Sequence, residues 1–204
     1  RSFSRRSTDN EIGNRPFYYA EIHADPSNED HVYSLWSMVS KSTDGGRSFD
    51  ILLPYSGVHP DHHALYIHPS DPQYLINGND GGLNISRDGG ENWTFVNNLP
   101  VGQFYHIAVD DEVPYNVYGG MQDNGSWMGP SAVWHVGGIR NEDWQEVLFG
   151  DGFDVQPTGD GELYAMYQGG SVQRVDVATL GTTDIQPAAP DSIALRFAWN
   201  GAMS

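Results

Sequence analysis

Ser42-Thr43-Asp44-Gly45-Gly46-Arg47-Ser48-Phe49 and Ser86-Arg87-Asp88-Gly89-Gly90-Glu91-Asn92-Trp93 are two copies of one pattern, 44 positions apart. Both read Ser-x-Asp-Gly-Gly-x-polar-aromatic. A period of roughly 40–50 residues belongs to repeat architectures, stacked or radial. Such architectures carry their sites where repeats meet, not inside one repeat. Asp-Gly-Gly between two short apolar runs is a hairpin turn, because glycine takes positive φ at little cost. Ser42 and Asp44 in one copy, Ser86 and Asp88 in the other, have oxygens that reach nearby backbone N–H groups and hold the turn. Gly46 and Gly90 close it. Phe49 and Trp93 then start a strand and can fold into the core.

The sequence around the two turns repeats as well. Phe17 to Pro26 reads as a strand ending in a turn, His31 to Trp36 as a second strand, Met38 to Thr43 as a third and Phe49 to Leu53 as a fourth. The next unit copies this order with His63–Pro72, Tyr74–Gly78, Leu83–Ser86 and Trp93–Asn97. Four short strands per unit with turn signals between them is the pattern of a β-propeller blade. Two degenerate units follow. One has strands at Gln103–Asp110, Asn116–Gly120, Gly125–Trp127 and Trp144–Val147. The other has strands at Gly152–Pro157, Glu162–Tyr167 and Ser171–Val175. Ala194 to Asn200 reads as the first strand of a fifth unit.

The expected fold is therefore all-β: about four four-stranded blades plus the first strand of a fifth, as a fragment of a larger propeller. The expected divisions are a leading segment at 1–16, blades at 17–58, 59–100, 101–148 and 149–190, and the opening strand of the next blade at 191–204. Four blades and one strand leave an open edge with unpaired backbone groups. The remaining blades of the same protein are the first expected partner.

The formal net charge is −17, from 27 acidic residues against 10 basic ones, and Lys41 is the single lysine. Binding to nucleic acid needs clustered cations, so neither nucleic acid nor an anionic membrane is an expected partner. The acidity also fits a plain solvated surface. There is no cysteine, hence no disulfide framework and no cysteine–zinc site. No apolar run of membrane-spanning length occurs. The 6 Trp, 11 Tyr and 8 Phe suit sheets packed blade on blade, and the same rings could stack on sugars. Trp127 and Trp134, which follow loops, are the better candidates for that second role.

Propeller ligands bind at the mouth of the central channel, on loops entering the innermost strands. Three stretches qualify. His59-Pro60-Asp61-His62-His63 is the densest polar cluster. Alternate residues of an extended chain share a face, so His59, Asp61 and His63 could converge on a divalent metal. Asp61 could instead be an acid or base at the channel, with His62 and His63 as ligand contacts, or the cluster could be an ordinary turn. Gly150-Asp151-Gly152 puts Asp151 before a fourth inner strand, close to the position of Asp61 in its own unit. Gln122-Asp123-Asn124-Gly125 could line the mouth beside Gln103, Tyr105 and His106, or form a hairpin turn. Apart from that divalent metal, none of these readings calls for a cofactor.

The paired pattern resembles the Asp-box of the bacterial-neuraminidase-repeat propellers, which include sialidases, xyloglucan-active glycoside hydrolases and sortilin-type receptors. That resemblance implies a structural turn between the third and fourth strands of a blade, far from any active site. Arg15-Pro16-Phe17-Tyr18-Tyr19, Asp61-His62-His63, Asn79-Asp80-Gly81-Gly82, Gln122-Asp123-Asn124-Gly125, Gly150-Asp151-Gly152-Phe153 and Arg196-Phe197-x-Trp199-Asn200 look like a group of secreted bacterial proteins of this kind, labelled glycosyl-hydrolase-like or sortilin-like. The resemblance spans nearly the whole chain and implies an extracellular or cell-surface location. Fold alone does not name a reaction. Sialidases need three arginines around a carboxylate and a tyrosine nucleophile, and no such triad is evident. The xyloglucan-type enzymes use two aspartates as acid and base, roles open to Asp61 and Asp151. The leading expectation is a secreted propeller that binds a glycan or protein ligand or serves as scaffold. The alternative is an inverting glycoside hydrolase.

Overall fold

The computed structural model describes residues 2–9, 12–190, 193, 195–201 and 203. Its strands form four four-stranded antiparallel sheets, each with neighbours in sequence order. The chain divides into two compact units, residues 1–99 and 100–204.

The first unit holds two sheets. One is β1 (Ile22–Asp25), β2 (Asn28–Leu35), β3 (Val39–Ser42) and β4 (Asp50–Leu53). The other is β5 (His62–His68), β6 (Asp71–Asn79), β7 (Gly82–Ser86) and β8 (Thr94–Phe95). Period-2 alternation explains which residues go inside. In β5, Leu65 and Ile67 point inward while Ala64 and Tyr66 point out. Tyr33, Leu35, Val39, Leu53, Leu65, Ile67 and Leu75 from the two sheets form one buried cluster. Each aliphatic member contributes about 1.5–3 kcal/mol relative to exposure.

The repeated turns behave alike. Each joins a third strand to a fourth, β3 to β4 and β7 to β8. Ser42 Oγ donates to Asp44 Oδ1 at 2.8 Å and accepts the Gly46 N–H at 2.9 Å. Asp44 Oδ1 also receives the N–H groups of Arg47 and Ser48, and its Oδ2 receives Ser48 Oγ. Ser86, Asp88, Gly90 and Asn92 repeat the arrangement. Hydrogen bonds to the charged form, led by the backbone N–H of Ser48, hold Asp44 far below the usual carboxylate range. The Asn92 N–H leads the same effect at Asp88, which falls to about 2. Phe49 is buried, and Trp93 packs against the core while its Nε1 donates to Gly90 O.

The second unit holds β9 (His106–Val109), β10 (Asn116–Met121), β11 (Gly125–Pro130) and β12 (Gln145–Leu148), then β13 (Gly152–Pro157), β14 (Glu162–Tyr167), β15 (Ser171–Asp176) and β16 (Thr182–Asp184). Its core joins Tyr118 and Val147 to Val155, Leu163, Ala165 and Val175. The two sheets meet at glycines. A Cβ on Gly120 would lie 2.2 Å from Phe153 N, and one on Gly152 would lie 2.3 Å from Gly125 O.

Three segments differ from their sequence reading. Phe17 to Ala20 is not strand: Tyr18 N and Tyr19 N both donate to Arg15 O, which turns the chain at Pro16 and swings Tyr19 inward. Gln103–Tyr105 lies outside β9, although Tyr105 N still reaches Gly120 O at 3.0 Å. The described residues of 195–200 form no ladder; Gly169 N donates to Trp199 O and Phe197 packs over Gly170. A strand needs a paired neighbour, and this segment has none among the described residues. Ala194, at the head of that reading, lies outside them.

Candidate functional site

In the first unit the polar cluster forms where the chain enters β5. Asp61 has φ 62, in the left-handed region that aspartate tolerates better than most side chains. Its N–H donates to Ser37 O and its carbonyl accepts the Asp80 N–H, both at 3.2 Å. Its Oδ1 accepts the Tyr19 hydroxyl at 2.9 Å. Tyr19 Oη lies 2.5 Å from Ser37 Oγ and accepts Arg15 Nη1 at 3.1 Å. A phenol has one hydrogen, which goes to Asp61, so Ser37 is the donor in the short contact. Burial, ahead of every other influence, pushes the Tyr19 hydroxyl up from its ordinary value.

The outer layer of the cluster is aromatic and charged. His63 Nε2 sits 3.0 Å from Asp80 Oδ1. The His63 ring stands edge-on to Tyr18 and Tyr19, with centroids 5.0 and 5.4 Å away. The Arg15 guanidinium lies over both tyrosine rings, at 5.1 and 5.4 Å. Tyr18 and Arg15 are exposed, and Asp61 and His63 are half-buried.

The expected metal face does not assemble. A register shift in β5 between His62 and Ala64 breaks the alternation, and the left-handed turn at Asp61 breaks it again. His59 Nδ1 goes to Pro60 O at 3.1 Å, Asp61 to Tyr19, and His63 to Asp80. Among the described residues no group of three histidine or acidic side chains is placed to hold a metal ion. His62, read as a ligand contact, is fully buried. Its Nδ1 meets Asn77 Oδ1 at 2.8 Å, while its Nε2 has no hydrogen-bond partner. Burial pushes the His62 imidazole down, so it stays neutral.

In the second unit the predicted residues fall into three small groups. Asp151 Oδ1 accepts the Asp123 N–H at 3.2 Å, and Asp151 N donates to Gln168 Oε1 at 2.9 Å. Asp123 has φ 62, as Asp61 does. The Gln122-Asp123-Asn124-Gly125 turn links β10 to β11, and Trp127 Nε1 closes it on Asn124 O. Tyr105 Oη donates to Gln122 Oε1 at 2.8 Å. His106 Nε2 lies 3.1 Å from Asn200 Oδ1. Gln103 is exposed and joins none of these groups. A cavity of about 460 Å³ on this unit is lined by Phe104, Met121, Trp127, Ile139, Arg140 and Trp144. Trp134, the other sugar-stacking candidate, is fully exposed.

Arg15, Tyr19, Ser37 and Asp80 belong to the first cluster, and of these only Asp80, in Asn79-Asp80-Gly81-Gly82, stands in a polar turn of the candidate kind in the sequence. They arrive from three separate chain segments. Asp80 lies in the turn between β6 and β7, the place that Gln122-Asp123-Asn124-Gly125 approaches after β10 in its own sheet.

Four four-stranded meanders in chain order define the class as β-propeller, with two blades in each unit. No protein-family model matches the sequence, and no curated protein is similar to it. Among solved structures, a GH74 enzyme from Niastella koreensis is 17% identical with a TM-score of 0.34, over 81% of this chain and 30% of that one. The GH74 xyloglucanase of Xanthomonas campestris is 17% identical with a TM-score of 0.32, over 89% and 32%. YCF48 bound to D1 peptide is 16% identical with a TM-score of 0.30, over 78% and 51%. The chain thus spans about a third of the length of the two enzymes. Among the described residues no helix is long and apolar enough to cross a membrane.

Proposed function

We propose that the chain is part of an extracellular β-propeller that binds a polar ligand, a glycan or a loop of another protein. The site is the cluster of Tyr18, Asp61 and His63 backed by Arg15 and Tyr19. One observation carries this reading. Asp61 is held on a left-handed backbone with Tyr19 donating to one carboxylate oxygen, and two residues on the half-buried His63 stands edge-on to the exposed Tyr18. A fixed acceptor next to an exposed ring is the pairing that orients a hydroxylated ligand: the ring takes its apolar face, and the carboxylate takes its donors.

A panel of immobilised polysaccharides, probed with the chain and with Asp61→Asn and His63→Ala, tests the reading. Loss of one charge-assisted hydrogen bond should weaken binding about tenfold or more. Undiminished binding by both variants would remove the site. Absence of binding to every glycan, and to partner proteins, would leave the scaffold role.

A second reading keeps Asp61 and Asp151 as the acid and base of an inverting hydrolase. Its support is equivalent placement, since Asp61 immediately precedes β5 and Asp151 immediately precedes β13. The Asp123 N–H on Asp151 counts toward a structural role for that carboxylate. Reducing-end release from xyloglucan, abolished in Asp61→Asn and in Asp151→Asn, would establish it. No release by the unaltered chain would dismiss it for this chain.

A further inference from the structure

The basic residues of this acidic chain are not spread evenly. A recess of about 510 Å³ in the first unit is lined by Arg5, Arg6, Ser7, Thr8, Asp9, Arg47 and Ser48. Three of the chain's 10 basic residues therefore meet at one place, against one lining aspartate, in a protein of net charge −17. Arg5 and Arg6 make no hydrogen bond or ion pair to any described residue. Arg47 is fixed by its own turn: its guanidinium donates to Asp44 O, and its N–H goes to Asp44 Oδ1. Asp9 lines the recess itself, and Asp44 stands in the turn that carries Arg47. Both Asp44 carboxylate oxygens are already taken, by Ser42, Ser48 and the backbone of the turn.

We infer that this recess binds an oxyanion, a sulfate or phosphate group, through Arg5, Arg6 and Arg47 with Ser7 and Thr8 as hydroxyl donors. Guanidinium forks match the oxygens of such groups two at a time, and hydroxyls supply the remaining donors. A local positive field inside a negative one draws the anion to this point of the surface. The recess is separate from the cluster at Asp61 and independent of the function proposed for it. The group can arrive as a free ion or as an ester on a polysaccharide, and the chemistry at the arginines is the same.

Calorimetric titration at constant ionic strength separates the two sources. The probes are inorganic sulfate, inorganic phosphate and heparin, applied to the 204-residue chain. Heparin binding well above that of the free ions assigns the site to a sulfated polymer, and comparable affinities assign it to the free oxyanion. In either case Arg5→Ala/Arg6→Ala should weaken binding about tenfold or more, and should lower the salt dependence of heparin binding by about two counterions. Arg87→Ala/Arg174→Ala changes the net charge equally at other places and should leave both quantities unchanged. Arg5→Lys/Arg6→Lys keeps the charge without the fork, and should recover part of the affinity with the full salt dependence. The inference fails if the unaltered chain binds none of the three probes at low salt. It fails equally if the control pair loses as much affinity as the recess pair.

Discussion

Replacing Gly120 with alanine tests how the two blades of the second unit meet. The added Cβ would stand 2.2 Å from Phe153 N, 2.3 Å from the Gly152 carbonyl carbon and 2.7 Å from Phe153 O. All three are backbone atoms, so no side-chain rotation relieves the overlap. One strand must move away by about 1 Å, since carbon and nitrogen do not approach closer than roughly 3 Å without strong repulsion. Phe153 is fully buried and Val155 nearly so, and the movement would also loosen their packing. Overpacking of this kind costs about 1–3 kcal/mol, and a rigid backbone obstacle puts Gly120→Ala near the top of that range. With a urea slope of about 1–3 kcal/mol per molar, the unfolding midpoint should fall by about 1 M or more. Circular dichroism across a urea series reads the shift. Gly181→Ala is the control: its nearest neighbour is a threonine hydroxyl 3.2 Å from the new Cβ. That change should be neutral or slightly stabilising, by at most about 1 kcal/mol. If Gly120→Ala unfolds at the same midpoint as the unaltered protein, β10 and β13 do not touch as described, and the argument collapses.

Three further outcomes follow from the same geometry. The buried His62 has its imidazole value pushed down on folding, so the unfolded chain takes up a proton that the folded chain refuses. Its contribution is present above the ordinary histidine value of about 6.5 and is lost as pH falls below that toward the folded value. A melting series from neutral to acidic pH should show the loss in the unaltered protein and a shallower one in His62→Gln; equal slopes would discard it. Leu75→Ala, at a side chain with no exposure, should cost about 2–5 kcal/mol in chemical unfolding. Ser42→Ala leaves the buried Gly46 N–H without its acceptor and should cost about 1–3 kcal/mol. A loss below half a kcal/mol would mean that the turn recruits another acceptor.

Some of this architecture was plain from residue order, and the reason is local. Gly152–Pro157 and Glu162–Tyr167 read as strands from their sequence and are strands with those limits. Their apolar alternation and bounding glycines act over a few positions and face no competing long-range demand. The two Ser-x-Asp-Gly-Gly turns were legible for the same reason, since each hydrogen bond spans four residues or fewer. What failed depended on distant partners. Nothing near Tyr19 announces that its hydroxyl will meet Ser37 and Asp61, which lie 18 and 42 positions away. The alternation that would gather His59, Asp61 and His63 was a sound default for an extended chain. One left-handed aspartate and one register shift undid it. β16 was missed because Thr182–Asp184 is short, polar and exposed, and is held as strand only by pairing with β15. The contact of Gly120 and Gly152 was hidden because a glycine in a strand reads as a flaw until its neighbour is known.

The self-sufficiency of the two repeated turns bears on the order in which the chain folds. Their serine, aspartate and amide partners lie within one short stretch, so closing them costs little loop entropy and waits for no other blade. Hairpins form in microseconds, whereas contacts such as Tyr19 with Asp61 require long loops to close first. β3–β4 and β7–β8 are therefore positioned to act as early seeds in the first unit. The second unit carries no copy of this turn, and its Gln122-Asp123-Asn124-Gly125 hairpin closes instead through Trp127 Nε1 on Asn124 O.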